Sequence, residues 1–144
     1  MTTPLREHFS DYASFHRVPG NQACHYVGIP LIVFAIVALL TRVPVAAALG
    51  MSWTAAEVAM LGATLFYLRL DVPLAALMLA AFVLFDVAGR GVPATVAWGL
   101  FVVGWIFQLI GHYVYEKKSP AFFKNLAHLL VGPLWILAKA TGRA

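Results

Sequence analysis

Five histidines stand in this chain, and none lies between His25 and His112, a gap of 86 residues that is almost wholly apolar. Imidazole ligates first-row metals and changes charge near neutral pH, so metal binding or proton transfer is the chemistry on offer. His8, His16 and His25 precede the gap; His112 and His128 follow it. An even number of membrane crossings within the gap returns the chain to the side it left. Both histidine groups then meet at one face of the membrane, which is how distant ends of a sequence could build one metal site. Gln108, His112 and Glu116 are spaced by four and share a face on a continuing helix. Polar side chains stacked along the end of an apolar helix are costly unless they face a bundle interior. Gly111, beside His112, would let another backbone or a bulky ligand approach closely.

At the other end, His16 and His25 are nine residues apart, which places them on opposite sides of one uninterrupted helix. Pro19-Gly20 prevents such a helix, and a turn there with Asn21 capping the next helix would fold both imidazoles inward. The converging set is His16, His25, His112 and His128, with Glu116 at helical spacing; His8 lies farthest out and reads as a solvated terminal residue. Imidazole-rich sites suit zinc, iron, copper or nickel, and histidines plus a carboxylate with open positions favour non-haem iron(II). Zinc hydrolysis, with three ligands and a water, stays open. No Gly-x-Ser-x-Gly elbow, phosphate-cradling loop or His-Glu-x-x-His is present, so nucleophilic catalysis is poorly supported. Cys24 is alone and reads as a small buried thiol; Tyr26, Tyr113 and Tyr115 read as interfacial belt residues.

The elements that must position these residues are membrane helices. Residues of the hydrophobic set make up 62% of the chain and charged ones 11%, too few to surface a soluble fold. The fold expected is all-α: an integral membrane bundle of about four transmembrane helices, with interfacial or re-entrant helical segments at both ends, forming a single domain over residues 1–144. The start carries no short apolar core before a small-residue cleavage site, so the first apolar run is expected to stay as an anchor. The apolar stretches run from about Val27 to Leu49 (interrupted by Arg42 and Pro44, its uncharged core ending at Thr41), Val58 to Leu68 (extended back through Ala55), Val72 to Phe85 and Gly91 to Tyr115. Spanning hydrocarbon takes about 20 residues, so the middle pair is expected to be short, tilted or incompletely spanning. Arg69 to Pro73 reads as a tight helix–helix turn. Ser119-Pro120 reads as a helix start, and Gly132-Pro133 as an interruption of that helix. The net charge of +4 comes from basic residues without an aromatic-interleaved patch, so anionic lipid rather than nucleic acid is the expected partner. Arg6 and Arg17 at one end, with Lys117, Lys118, Lys124, Lys139 and Arg143 at the other, place both termini in the cytoplasm. The membrane would be the inner one in a bacterium and the endoplasmic reticulum in a eukaryote.

The motifs His16…Asn21…His25-x-x-Gly28-Ile29-Pro30-Leu31, Gln108-x-x-Gly111-His112-x-x-x-Glu116-Lys117-x-x-Pro120-Ala121 and Gly132-Pro133-Leu134 resemble a small membrane family. It is that of the yeast iron-dependent 2-hydroxy fatty acid dioxygenase, which acts in phytosphingosine breakdown. The matching blocks lie at both ends in the right order. The resemblance implies an iron(II) enzyme of fatty acid α-oxidation. R-CHOH-COOH plus O2 gives R-COOH, CO2 and water, so neither an external reductant nor 2-oxoglutarate is needed. It further implies His16, His25, His112 and His128 as iron ligands, and Glu116 as a fifth ligand or an acceptor orienting His112. Asn21 and Gln108 become supporting residues or donors to the substrate carboxylate. The partners implied are a 2-hydroxy fatty acid, O2 and membrane lipids, with the acyl chain between the apolar helices. The competing readings are a haem-binding bundle with axial histidine pairs and a non-catalytic membrane scaffold or carrier. A transporter is disfavoured because ionisable residues avoid the expected bilayer centre.

Overall fold

Thr2 opens the first element. Its hydroxyl accepts from Leu5 N, and Pro4 sits in the first turn of α1, Thr3–Ser14. Leu5, Phe9 and Tyr12, spaced by four and three, form the buried stripe of this helix. The computed structural model describes residues 2–48, 51–120 and 127–144. α2 (Pro19–Leu40) follows, with proline in the first helical position, where its missing N–H costs nothing. The helix thus begins before Asn21, which lies in its first turn and does not cap it.

The chain leaves the helix at Leu40, although the apolar run continues to Leu49. Strands β1 (Pro44–Ala48) and β2 (Met51–Thr54) pair antiparallel, with Pro44 opposite Thr54 and Ala48 opposite Met51. The helix thus ends beside Thr41, where the uncharged core was expected to stop, and the run beyond it forms no further helix. Pro44 lacks the N–H a helix would use, and the run beyond it folds back as a hairpin. α3 (Ala55–Leu68) starts on a reciprocal capping box between Thr54 and Glu57. Asp71 caps α4 (Val72–Arg90) by accepting from Leu74 N at 3.1 Å, with Pro73 in the first turn. The expected turn between Arg69 and Pro73 is thus the observed one. α3 and α4 pack on each other, with the rings of Tyr67 and Phe82 6.3 Å apart.

The last long helix runs from Ala94 to Glu116, with α5 as Ala94–Leu109 and a π-helical segment over Ile110–Glu116. It ends where Lys117 adopts φ 55°, the one left-handed non-glycine residue among those described. α6 (His128–Ala140) continues through Pro133, so Gly132-Pro133 does not interrupt it. Gly132 has a packing reason instead: a Cβ there would lie 3.0 Å from Ile29 and 3.1 Å from the Tyr12 hydroxyl. The helix start expected at Ser119-Pro120, with Lys124, falls on 121–126, outside the described residues.

Among the described residues, three helices are long and apolar enough to cross a membrane: Pro19–Leu40, Val72–Arg90 and Ala94–Glu116. Of the middle pair expected to be short, α4 reaches 19 residues and α3 only 14. Contacts divide the chain into two compact units, one of residues 1–31 and 103–144, the other of 32–102. The first unit holds both histidine-bearing ends of the chain.

Candidate metal centre

His16 lies in the turn after α1, His25 in the second turn of α2 and His112 in the π-helical segment. The three are almost fully buried. Their donor atoms all lie within 4.8 Å of one another. His25 Nε2 is 3.0 Å from His16 Nε2 and 3.1 Å from His112 Nε2. The rings meet edge to face, with centroids 4.4, 4.8 and 5.0 Å apart.

Which nitrogens carry protons follows from their other partners. His16 Nδ1 lies 2.7 Å from the Tyr12 carbonyl and His25 Nδ1 2.9 Å from the Asn21 carbonyl. A carbonyl only accepts, so both Nδ1 atoms are protonated and both Nε2 atoms of the neutral rings present lone pairs. Two lone pairs then face each other at 3.0 Å. That contact is repulsive unless a proton or a metal ion lies between them. Burial holds the His16 imidazole below its ordinary pKa of 6.5, outweighing the Tyr12 carbonyl and Glu116, which raise it. Burial thus works against a proton at this contact, and the Nε2 set could hold a metal ion instead.

Nitrogens 3.0 and 3.1 Å apart are close enough for one ion to reach both members of each pair at ordinary metal–nitrogen distances of about 2.1 Å.

The Glu116 carboxylate joins the end of the last long helix to the start of α2. It accepts from Arg17 N at 3.1 Å, Val18 N at 3.0 Å and Asn21 Nδ2 at 3.0 Å. These amides include donors that no helical carbonyl can meet at a helix start. Asn21 Nδ2 also donates to the Phe15 carbonyl, and Gln22 Nε2 to the His16 carbonyl, so the turn carrying His16 is held from three sides. Asn21 Oδ1 has no partner and lies against Gly111, where a Cβ would approach it to 2.5 Å. Gln108 is buried against Gly28, and its Nε2 has no partner.

His128 is buried beside this group but does not belong to it. Its Nε2 pairs with Asp11 Oδ2 at 2.7 Å, and its Nδ1 has no partner. Tyr12 lies between the two parts of the site. Its ring stacks on His16 at 4.0 Å and meets His128 edge-on at 5.6 Å. Burial raises the Tyr12 phenol far above its ordinary value, so it stays protonated. Asp11 and Tyr12 were not among the residues singled out in the sequence. For Tyr12 a signal existed: it precedes His16 by four, as Asn21 precedes His25. Nothing local to Asp11 marks it. His8, on α1, is not in the three-histidine group.

The family described as 2-hydroxy-palmitic acid dioxygenase Mpo1-like matches residues 2–144. The chain belongs to this Mpo1-like family. The family expected from the motifs at the two ends is thus the one found. A relative, the 2-hydroxy-palmitic acid dioxygenase MPO1 of Saccharomyces cerevisiae, is 33% identical over 138 residues, covering 92% of this chain and 77% of that protein. No solved structure matches the chain. The Mpo1-like match takes in both histidine-bearing ends, so the buried group lies wholly within it.

Proposed function

We propose that this Mpo1-like chain is an integral membrane dioxygenase that holds iron(II) on His16, His25 and His112. It converts a 2-hydroxy fatty acid and O2 to the fatty acid one carbon shorter, CO2 and water. The observation that carries the reading is the convergence of three imidazoles in a buried setting, with His25 Nε2 3.0 and 3.1 Å from the Nε2 atoms of His16 and His112. Bound there, iron(II) supplies a centre that takes up O2 and lends it electrons. The rest of the work falls to the protein. The Tyr12 and Asn21 carbonyls fix the tautomer and rotation of His16 and His25. Glu116 and Asn21 are positioning residues that hold the His16 turn, and burial keeps water from the donor set. His128, engaged by Asp11, buttresses the site from α6 and is left out of the ligand set. Both termini face the cytoplasm, as the basic residues at the two ends indicate.

The test is anaerobic reconstitution with iron(II), followed by O2 consumption in the presence of 2-hydroxypalmitate. Expected are about one iron per chain, no Soret band, and pentadecanoic acid and CO2 in equal amounts to the O2 consumed. His112→Ala should lose the iron, while His8→Ala and His128→Ala keep it. An iron-loaded protein that consumes no O2 with this substrate would sink the activity. Equal iron in the His112 and His8 variants would sink the ligand assignment.

A further inference from the structure

The described residues contain five buried side-chain atoms without a hydrogen-bond partner, and four of them lie on histidines or about one helical turn from one: Asn21 Oδ1, Gln108 Nε2, His112 Nδ1 and His128 Nδ1. A buried polar atom left unpaired costs about 1–3 kcal/mol, so a cluster of them marks a place where something other than the chain supplies partners. The two amides differ in what they lack. Asn21 has spent its N–H groups on the Phe15 carbonyl and Glu116 and lacks only a donor. Gln108 Nε2 is a pure donor, and what it lacks is an acceptor.

The surroundings of Gln108 are built to keep its amide where it is. Gln108 lies one helical turn before His112, and Gly28 about one turn after His25. The amide therefore sits on the seam between α2 and α5, roughly 5 Å along the helices from the imidazoles. A Cβ on Gly28 would come within 2.5 Å of Gln108 Nε2 and 2.7 Å of the Gly104 carbonyl. Glycine at 28 thus leaves the room that the amide occupies. Three neutral imidazoles around a divalent ion leave positive charge uncompensated, which favours an anionic ligand beside them.

We propose that Gln108 Nε2 is the donor that receives the carboxylate of the 2-hydroxy acid and so sets the enzyme's preference for an acid headgroup. The assignment rests on the dioxygenase reading for the identity of the ligand. The amide donates to a carboxylate oxygen, while the three histidines keep their Nε2 atoms for the metal. Gln108 is thereby a specificity residue, and Asn21 is confined to positioning.

The experiment uses the full-length, iron(II)-loaded protein under anaerobic conditions, so that binding is read by calorimetry whether or not turnover follows. The probes are 2-hydroxypalmitate and 1,2-hexadecanediol, which keeps the 2-hydroxyl and lacks the carboxylate. Gln108→Leu should retain iron, weaken 2-hydroxypalmitate binding roughly ten-fold or more and change diol binding by less than about two-fold. Gln108→Asn, which keeps the amide but withdraws it by one methylene, should show the same acid-selective loss. Unchanged acid binding in both variants, equal loss for acid and diol, or loss of iron would each overturn the proposal. Wild-type protein that binds the acid tightly but never consumes O2 would instead overturn the dioxygenase reading and leave the seat standing.

Discussion

At the scale of single residues, the centre is defined by which nitrogen of each imidazole is free. His16 and His25 both anchor Nδ1 on the carbonyl four residues back, and so direct bare Nε2 atoms at each other. This tautomer choice gives the site a pH dependence. His16 has a folded-state pKa held below 6.5 by burial, so the unfolded chain takes up its proton first. Stability from the neutral ring is therefore present above pH 6.5 and is lost as pH falls below it toward the folded value. Metal-free protein in detergent should melt at a lower temperature at pH 5.5 than at pH 7.5, and iron retention should fall in the same window. A higher melting temperature at pH 5.5 would contradict the assignment. Much of this scale was legible in the sequence, since residue type and the gap nominated His16, His25 and His112. The Asp11–His128 pair was not, because α1 and α6 meet through contacts that no local pattern announces.

At the scale of elements, two helix ends are tied by one carboxylate. Glu116 accepts from the backbone at Arg17 and Val18 and from Asn21, which caps α2 from a residue almost a hundred positions away. Removing it leaves the part-buried Arg17 and Val18 amides and one N–H of the buried Asn21 amide without this acceptor, the buried one at about 1–3 kcal/mol. Glu116→Ala should therefore weaken iron(II) binding at least ten-fold, with Glu116→Gln intermediate because one acceptor oxygen remains. Metal titration of both variants checks this, and wild-type affinity in Glu116→Ala would refute the positioning role. The π-helical segment was not legible in advance. Over seven residues the wider turn leaves an apolar periodicity that an α-helix would also produce. It has a visible effect: His112, alone of the three, has no partner for Nδ1. The hairpin was missed for a related reason. Arg42 and Pro44 mark a break after Leu40, but the Val- and Ala-rich residues beyond them carry no strand alternation, and strand pairing is decided by the returning segment.

At the scale of the whole molecule, the bonds from Glu116 to Arg17 and Val18 place the start of the first span beside the end of the last. The number of crossings between them is then even. α2, α4 and the helix over Ala94–Glu116 are long enough to cross, so an even count predicts that α3 crosses as well, despite its 14 residues. At 1.5 Å per residue it covers roughly 21 Å, which implies a locally thinned bilayer or tilted partners. A single cysteine at Arg69, in a Cys24→Ser background, should react with an impermeant thiol reagent from the same side as a tag on the N-terminus. Labelling from the opposite side would break the parity argument. Composition and apolar run lengths made the helical class and its candidate spans readable, whereas the length of α3 leaves its crossing a prediction from what the two ends touch.

The separation of 87 residues from His25 to His112 also sets the order of events during synthesis. At about 5–20 residues per second, His16 and His25 leave the ribosome roughly 4–17 s before His112 does. During that interval an imidazole pair is in the cell without its third member, and the site can close only after the last span has emerged. Extending the intervening stretch would delay closure but barely weaken it, because doubling a loop costs only about 0.6 kcal/mol. The timing of metal loading is thus written into the spacing of the ligands, while the length of what lies between them is left free to vary.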